Sequence, residues 1–277
     1  MRALVIGAAG KTGRAVTRAL ASRGVDVRAA VRSADAADRV RALGAQSASV
    51  VDLETGAGLD TALDGVDAVY HLAPNVHPDE VGIARRVASA ARAAGVARFA
   101  FHSVLHPDDA SMPHHARKAE AEAVVRDLHP DALVLRPAAY HQNLLDAARA
   151  GRIAVPYSLD TPFTNVDLDD VAEVAAILLA GTAWDTATFE LAGPEQFTVR
   201  ELADVAARTL GREVLAEQTS LDAWRAGPGA RLTGSARADL EAMFAAYDRD
   251  GLVGDPRTLA GLVPHPPRTW SAALTAG

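Results

Sequence analysis

The stretch Leu4-Val5-Ile6-Gly7-Ala8-Ala9-Gly10-Lys11-Thr12-Gly13-Arg14-Ala15-Val16 passes from an apolar run of strand character into glycines spaced GxxGxxG. A helical pattern with Val16, Ala19 and Leu20 on one face follows at once. Strand, tight turn and helix in that order make a seat for a pyrophosphate. Glycine adopts the backbone angles of the turn and lets bare amides approach the ligand, while the helix N-terminus attracts negative charge. An ordinary strand-to-helix turn is the plainer account of three glycines. The alternation of strands and helices that follows decides for a dinucleotide held by Gly7, Ala9, Gly10, Lys11, Thr12 and Gly13.

Outward from this turn, Val25 to Val31 alternates as a second strand and ends at Arg32. An acidic residue at that place would bond the adenosine ribose of NAD, whereas a cation pairs with the extra phosphate of NADP. Arg32 and Lys11 therefore point to NADP(H). A third strand from Ser47 to Val51 closes on Asp52-Leu53, where the adenine edge is expected; Asp52 serves equally well as a cap for the next turn. The run Ala68 to Pro74 is a fourth strand stopped by proline, so Leu72, Ala73 and Pro74 should lie under the cofactor. A helix from Glu80 to Ala94 and a fifth strand from Arg98 to Ser103 complete the alternation. These elements predict an α/β fold with a doubly wound parallel sheet, a Rossmann fold, and its ligand at the carboxyl ends of the strands. The expected division is a dinucleotide-binding domain over 1–150 and a small α/β substrate region over 151–277, partly interleaved with the first.

Composition narrows the partners. With 277 residues and 49% hydrophobic content the chain builds a substantial core. A net charge of −7 with Lys and Arg scattered gives no footprint for nucleic acid or an anionic membrane, and no apolar run reaches membrane-spanning length. The chain has no cysteine, which removes disulfides, thiolate nucleophiles and iron–sulfur chemistry and agrees with a reducing cytoplasm. A small-molecule substrate and a monomer or homodimer are the expectation.

Pro113 opens a helix that runs to about Leu128 and places His114 and Lys118 on one face. A sixth strand, Ala132 to Arg136, breaks at Pro137, and Tyr140 to Ala150 reads as a helix ended by Gly151. Tyr140, Gln142 and Asn143 follow the sixth strand, where a substrate would lie. Further on, Asp169 or Asp170 is expected to cap a helix, and Thr198-Val199-Arg200-Glu201 is a capping box. After Leu215 one helical stretch, Arg237 to Tyr247, stands among Pro and Gly clusters. His71, His77, His102, His106, His114, His115 and His141 all fall near the carboxyl ends of strands. That favours proton traffic or polar recognition of substrate, with His102 among the substrate residues; the spacing matches no metal motif.

The glycine loop, Arg32, Asp52-Leu53, Lys118 with Glu122, and Arg136-Pro137-Ala138-Ala139-Tyr140-His141-Gln142-Asn143-Leu144 together resemble the NmrA-like branch of the atypical short-chain dehydrogenases/reductases. The resemblance is specific up to Leu144 and loose beyond it. It implies a Rossmann domain binding NADP(H) and a C-terminal region that forms the substrate pocket, with Pro137 beside the cofactor. In the wider family a Tyr and a Lys four residues later share a helix. The Lys holds the nicotinamide ribose and a Ser after strand five polarises the carbonyl. Lys118 and Ser103 match those places, and His114 stands where the family has Tyr. His114 either donates a proton near neutral pH or fills the space of the missing Tyr. The branch holds reductases of quinones and dyes as well as redox sensors that turn nothing over. An NADPH-dependent reductase of a small carbonyl or quinone is expected, with a non-catalytic sensor or a cofactor-assisted isomerase or epimerase as rivals.

Overall fold

The computed structural model describes residues 1–181 and 187–276. In chain order its elements are β1 (Arg2–Val5), α1 (Lys11–Ser22), β2 (Asp26–Val31), α2 (Asp35–Arg41), β3 (Ser47–Val50), α3 (Leu59–Leu63) and β4 (Ala68–His71). They continue with α4 (Glu80–Ala93), β5 (Arg98–His102), α5 (Pro113–Leu128), β6 (Leu133–Pro137), α6 (Leu145–Arg149), β7 (Arg152–Val155) and α7 (Leu168–Ala180). The rest are β8 (Thr188–Leu191), α8 (Val199–Leu210), β9 (Leu215–Gln218), α9 (Leu221–Ala226), α10 (Gly234–Asp250), α11 (Arg257–Leu262) and α12 (Trp270–Thr275).

Seven strands form one sheet in the order β3-β2-β1-β4-β5-β6-β8, and the pairs from β3 to β6 are parallel. Ala3, Leu4, Val5 and Ile6 are wholly buried. A central parallel strand is covered on both faces, so its sequence is a continuous apolar run rather than an alternation. On one face Leu4, Ile6, Val69, Phe99, Phe101 and Val134 pack against Ile83, Val87 and Ala91 of α4 and Ala121 and Val125 of α5. The chain winds β1-β2-β3 to one side and then crosses to β4 on the other. The β1/β4 junction is thus the point where a doubly wound sheet opens a ligand crevice.

The described residues fall into two compact units, each drawn from several stretches of the chain. The first comprises 1–107, 117–136 and 171–189; the second comprises 108–116, 137–170 and 190–277. The second has its own core, in which Ile153, Val155, Leu202, Ala206, Ala273 and Leu274 surround Trp270, whose indole N–H donates to the Leu202 carbonyl at 2.9 Å. The Thr198 capping box forms as expected.

Three local expectations are corrected. The segment 140–150 is not one helix: His141 N–H bonds the Val166 carbonyl at 2.9 Å, drawing Tyr140 into a bridge with Val166, and a 3₁₀ turn at His141–Asn143 precedes α6. Asp167, not Asp169 or Asp170, caps α7, its Oδ1 accepting from the Asp169 amide at 2.8 Å, while Asp170 is paired with Arg268. The C-terminal region is richer than its composition suggests. β9 pairs with β7 in a second, two-stranded sheet, and α9, α11 and α12 are helices of six residues, too short to show a period. Among the described residues no helix is long and apolar enough to cross a membrane.

Candidate active site

The glycine turn folds as its sequence requires. Gly7 sits at φ +74°, a conformation that side chains resist, and a Cβ there would stand 2.9 Å from the Leu72 carbonyl oxygen. The turns after β1 and β4 therefore touch through a residue with no side chain. A Cβ on Gly13 would overlap the Gly7 carbonyl and the Ala8 Cα, so α1 can pack this close to β1 only with glycine at its third position. Gly10 N–H bonds Gly7 O at 3.0 Å, and Arg14 N–H bonds Gly10 O at 2.9 Å. The amides of the first turn precede that ladder, and the sequence offers no acid there to cap them. This cradle suits an anion of two phosphates.

Around it, Ala9, Gly10 and Lys11 are exposed and Thr12 is buried. Arg32 is exposed immediately beyond β2. The Asp52 carboxylate turns back on its own loop, accepting from the Glu54 amide at 2.9 Å and the Thr55 amide at 3.4 Å. Hydrogen bonding from Thr55 and from the Glu54 amide holds its carboxyl below the usual range. Its role as a turn cap is therefore realised. The Leu53 carbonyl accepts from Arg86 of α4 at 3.0 Å, which fixes the loop after β3. Leu72 and Pro74 are half-buried and Ala73 is buried.

Lys118 is almost wholly buried on α5. Its ammonium pairs with Glu80 Oε1 at 2.5 Å, donates to the His102 carbonyl at 2.9 Å and lies 5.2 Å from the centre of the Phe101 ring. Glu80, the first residue of α4, is fully buried. Nothing in the sequence singles it out, because an acid in the first turn of a helix is ordinary. Beside it His71, the last residue of β4, is also fully buried, tilted 27° against Phe101 with ring centres 5.6 Å apart. Burial and the Lys118 ammonium lower His71 to about 3. His102 is lowered to about 3 by the same two causes and by His71. Both rings are neutral at physiological pH.

Two of the expected site residues have partners within the protein. Ser103 is fully buried and donates its hydroxyl to Glu122. Glu122 is held by Arg136 through bonds of 3.0 and 2.7 Å, and this paired carboxylate is the stronger acceptor. His102 turns its ring inward, sharing a hydrogen bond through Nδ1 with the buried Tyr70 hydroxyl, and offers its carbonyl to Lys118.

His114 is buried one helical turn before Lys118, its ring edge-on to His115 with centres 5.9 Å apart. In the second unit, Pro137 is buried, Tyr140 is half-buried and Asn143 is exposed. Gln142 faces the protein instead: its amide donates to Asp167 and accepts from the Leu168 amide, both at 2.9 Å, tying the loop after β6 to the start of α7. His141 lies against Trp270 with ring centres 5.4 Å apart, and burial lowers it to about 4 against the opposing pull of Asp167.

The model of the NmrA-like family matches residues 1–258. The chain is 35% identical to a (4-alkanoyl-5-oxo-2,5-dihydrofuran-3-yl)methyl phosphate reductase of Streptomyces griseus, covering 97% of this chain and 96% of that protein. It is 27% identical to Quinone oxidoreductase 2 of Escherichia coli over 86% of this chain and 85% of the relative. The crystal structure of an NADPH-dependent quinone oxidoreductase from Escherichia coli, complexed with NADPH, matches with a TM-score of 0.84 at 25% identity over 99% of both chains.

Proposed function

Given that the chain belongs to the NmrA-like family, we propose that it is an NADPH-dependent oxidoreductase that transfers a hydride to a small carbonyl or quinone substrate. The observation that carries this reading is the bare turn after β1, where Gly7 and Gly13 leave no room for a Cβ and the first amides of α1 are presented to an anion. NADPH, when bound, supplies a hydride from its nicotinamide. The glycine turn with Lys11 and Thr12 holds the pyrophosphate, Arg32 the 2′-phosphate, and Leu53 with the backbone of Asp52 the adenine edge. Leu72, Ala73, Pro74 and Pro137 flank the nicotinamide half. Lys118 gives two of its three N–H donors to Glu80 and His102 and offers the third to a ribose hydroxyl.

The acceptor follows from what the site lacks. His114 takes the place of the Tyr that protonates carbonyl oxygen in the wider family, and Ser103 is committed to Glu122. A quinone and an alkanoyl-oxo-dihydrofuran, the acceptors in the names of the relatives, share a carbon–carbon double bond conjugated with carbonyl groups. Hydride addition to such a carbon forms a C–H bond and moves the π pair onto carbonyl oxygen, where it is delocalised and needs less help from an acid. His114 or water then delivers the proton, and Tyr140 and Asn143 line the substrate. On this reading the protein acts on a small molecule in the cytoplasm, as a monomer or homodimer without nucleic-acid or membrane partners.

The test is titration of the purified protein with NADPH and NADH, followed by quinones, conjugated enones and aldehydes while nicotinamide absorbance is recorded. Tight NADPH binding with oxidation by a conjugated acceptor is the expected result. Binding without oxidation would favour the sensor reading, to which the missing Tyr lends support. Conversion of a substrate with no net oxidation would favour an isomerase.

A further inference from the structure

A buried ion pair is weak evidence of a stabilising role, because removing two charges from water costs about as much as their attraction returns. The Glu80–Lys118 pair therefore asks for another explanation. Glu80 begins α4 on the loop that leaves β4, and the His102 carbonyl ends β5. These two acceptors come from the carboxyl ends of neighbouring strands and converge on one ammonium from 2.5 and 2.9 Å, beneath the Phe101 ring. A lysine side chain has four torsions, and left to itself it samples many positions. Here its head is fixed before any ligand arrives, so a ligand that meets the third N–H has no ordering cost to bear.

We propose that Glu80 is a positioning residue that acts through Lys118: its buried carboxylate holds the ammonium at the carboxyl edge of β5, aimed at the cofactor ribose. The proposal rests on the assignment of Lys118 to the cofactor. It gives Glu80 no contact with the cofactor or the substrate. Removing the Glu80 charge therefore weakens cofactor binding only while Lys118 is present.

The experiment measures the NADPH dissociation constant by fluorescence and the melting temperature of the cofactor-free protein for wild type, Glu80→Gln, Glu80→Asp, Lys118→Met and the double variant Glu80→Gln/Lys118→Met. The Gln variant keeps the shape of the side chain, and the Asp variant keeps the charge on a shorter arm. The double variant leaves neither partner charged, and so folds where a single variant does not. Glu80→Gln and Lys118→Met should each weaken NADPH binding about tenfold, the loss of one charge-assisted hydrogen bond. Glu80→Asp should fall between Glu80→Gln and wild type, and the double variant should bind like Lys118→Met alone. The proposal is overturned if Glu80→Gln, or Glu80→Asp should Gln fail to fold, lowers the melting temperature but binds NADPH as wild type does. It is equally overturned if the effects of the two substitutions add in the double variant. Wild-type binding by Lys118→Met would defeat the assignment of Lys118 itself, a separate failure from weak binding by Lys118→Met beside normal binding by the Glu80 variants.

Discussion

The neutral histidines at the edge of the sheet make stability depend on acidity, and His71 lets the size of the effect be worked out. His71 is fully buried and titrates at about 3 in the folded chain, against an ordinary 6.5. Between those values the unfolded chain binds the proton and the native chain does not, so stability rises with pH across this window. The contribution is fully present above about pH 6.5 and is lost as the pH falls. One group costs about 1.4 kcal/mol per pH unit inside the window, hence about 2 kcal/mol from pH 6.5 to pH 5. His102, lowered to about 3 from the end of the neighbouring strand, adds a second proton of the same sign. The assay is urea denaturation of the cofactor-free protein at a series of pH values, for wild type and His71→Leu. The variant should lose about one proton from the uptake on unfolding, flattening the pH slope by about 1.4 kcal/mol per unit, while most of the share of His102, for which His71 is the last of three causes, stays in place. An identical slope in the two proteins would mean that the native ring takes up its proton as readily as the unfolded one, and the account of its burial would be wrong.

Other expectations test the remaining parts of the site. Arg32→Glu should move the ratio of NADPH to NADH affinity about tenfold or more toward NADH, the worth of a charged hydrogen bond to phosphate; an unchanged ratio in paired titrations would place the phosphate contact elsewhere. Gly13→Ala forces a Cβ onto the backbone of Gly7 and Ala8, so thermal denaturation should show a loss of about 1–3 kcal/mol together with weakened NADPH binding, and normal values of both would refute the tight packing. Ser103→Ala removes the hydroxyl donor of a buried carboxylate, and should cost about 1.5–3 kcal/mol of stability with little change in kcat. A collapse of kcat at unchanged stability would restore the catalytic serine that its position in the family implies.

How far the sequence could be read depended on the range of the signal. The glycine turn, the parallel run of strands through Arg136 and the Thr198 capping box are written in residues a few positions apart, and local spacing carries them. The end of the Tyr140 segment is not local: a hydrogen bond from His141 to Val166 overrides its helical pattern. The same holds for the cap of α7, where the Gln142 amide locks Asp167 in place from the loop after β6. In the candidate site, Lys118 could be singled out because a known motif names its position. Glu80 could not, since its partner is 38 residues away and only the crossing from β4 to β5 brings them together. The same motif named Ser103, and Glu122, also quoted in it, accepts the Ser103 hydroxyl in the structure.

These pairings also constrain the chemistry. Along the carboxyl ends of β4, β5 and β6 the buried polar side chains answer one another: Glu80 with Lys118, Ser103 with Glu122 and Arg136, Tyr70 with His102. His71 and His102 titrate too low to donate a proton near neutrality. A group already satisfied in this way has little left with which to stabilise an alkoxide. An isolated ketone, which concentrates its new charge on one oxygen, is therefore a poor acceptor for this edge, and an acceptor that spreads the charge over conjugated carbonyls is a good one. The discriminating comparison is between a quinone or an enone and a saturated ketone of matched size, assayed with wild type and His114→Gln. Conjugated acceptors should be reduced preferentially, and they should lose less rate than a ketone when the imidazole is removed. Equal rates for the two classes, with equal sensitivity to His114, would mean that the site supplies the charge stabilisation itself, against the closed pairings described above.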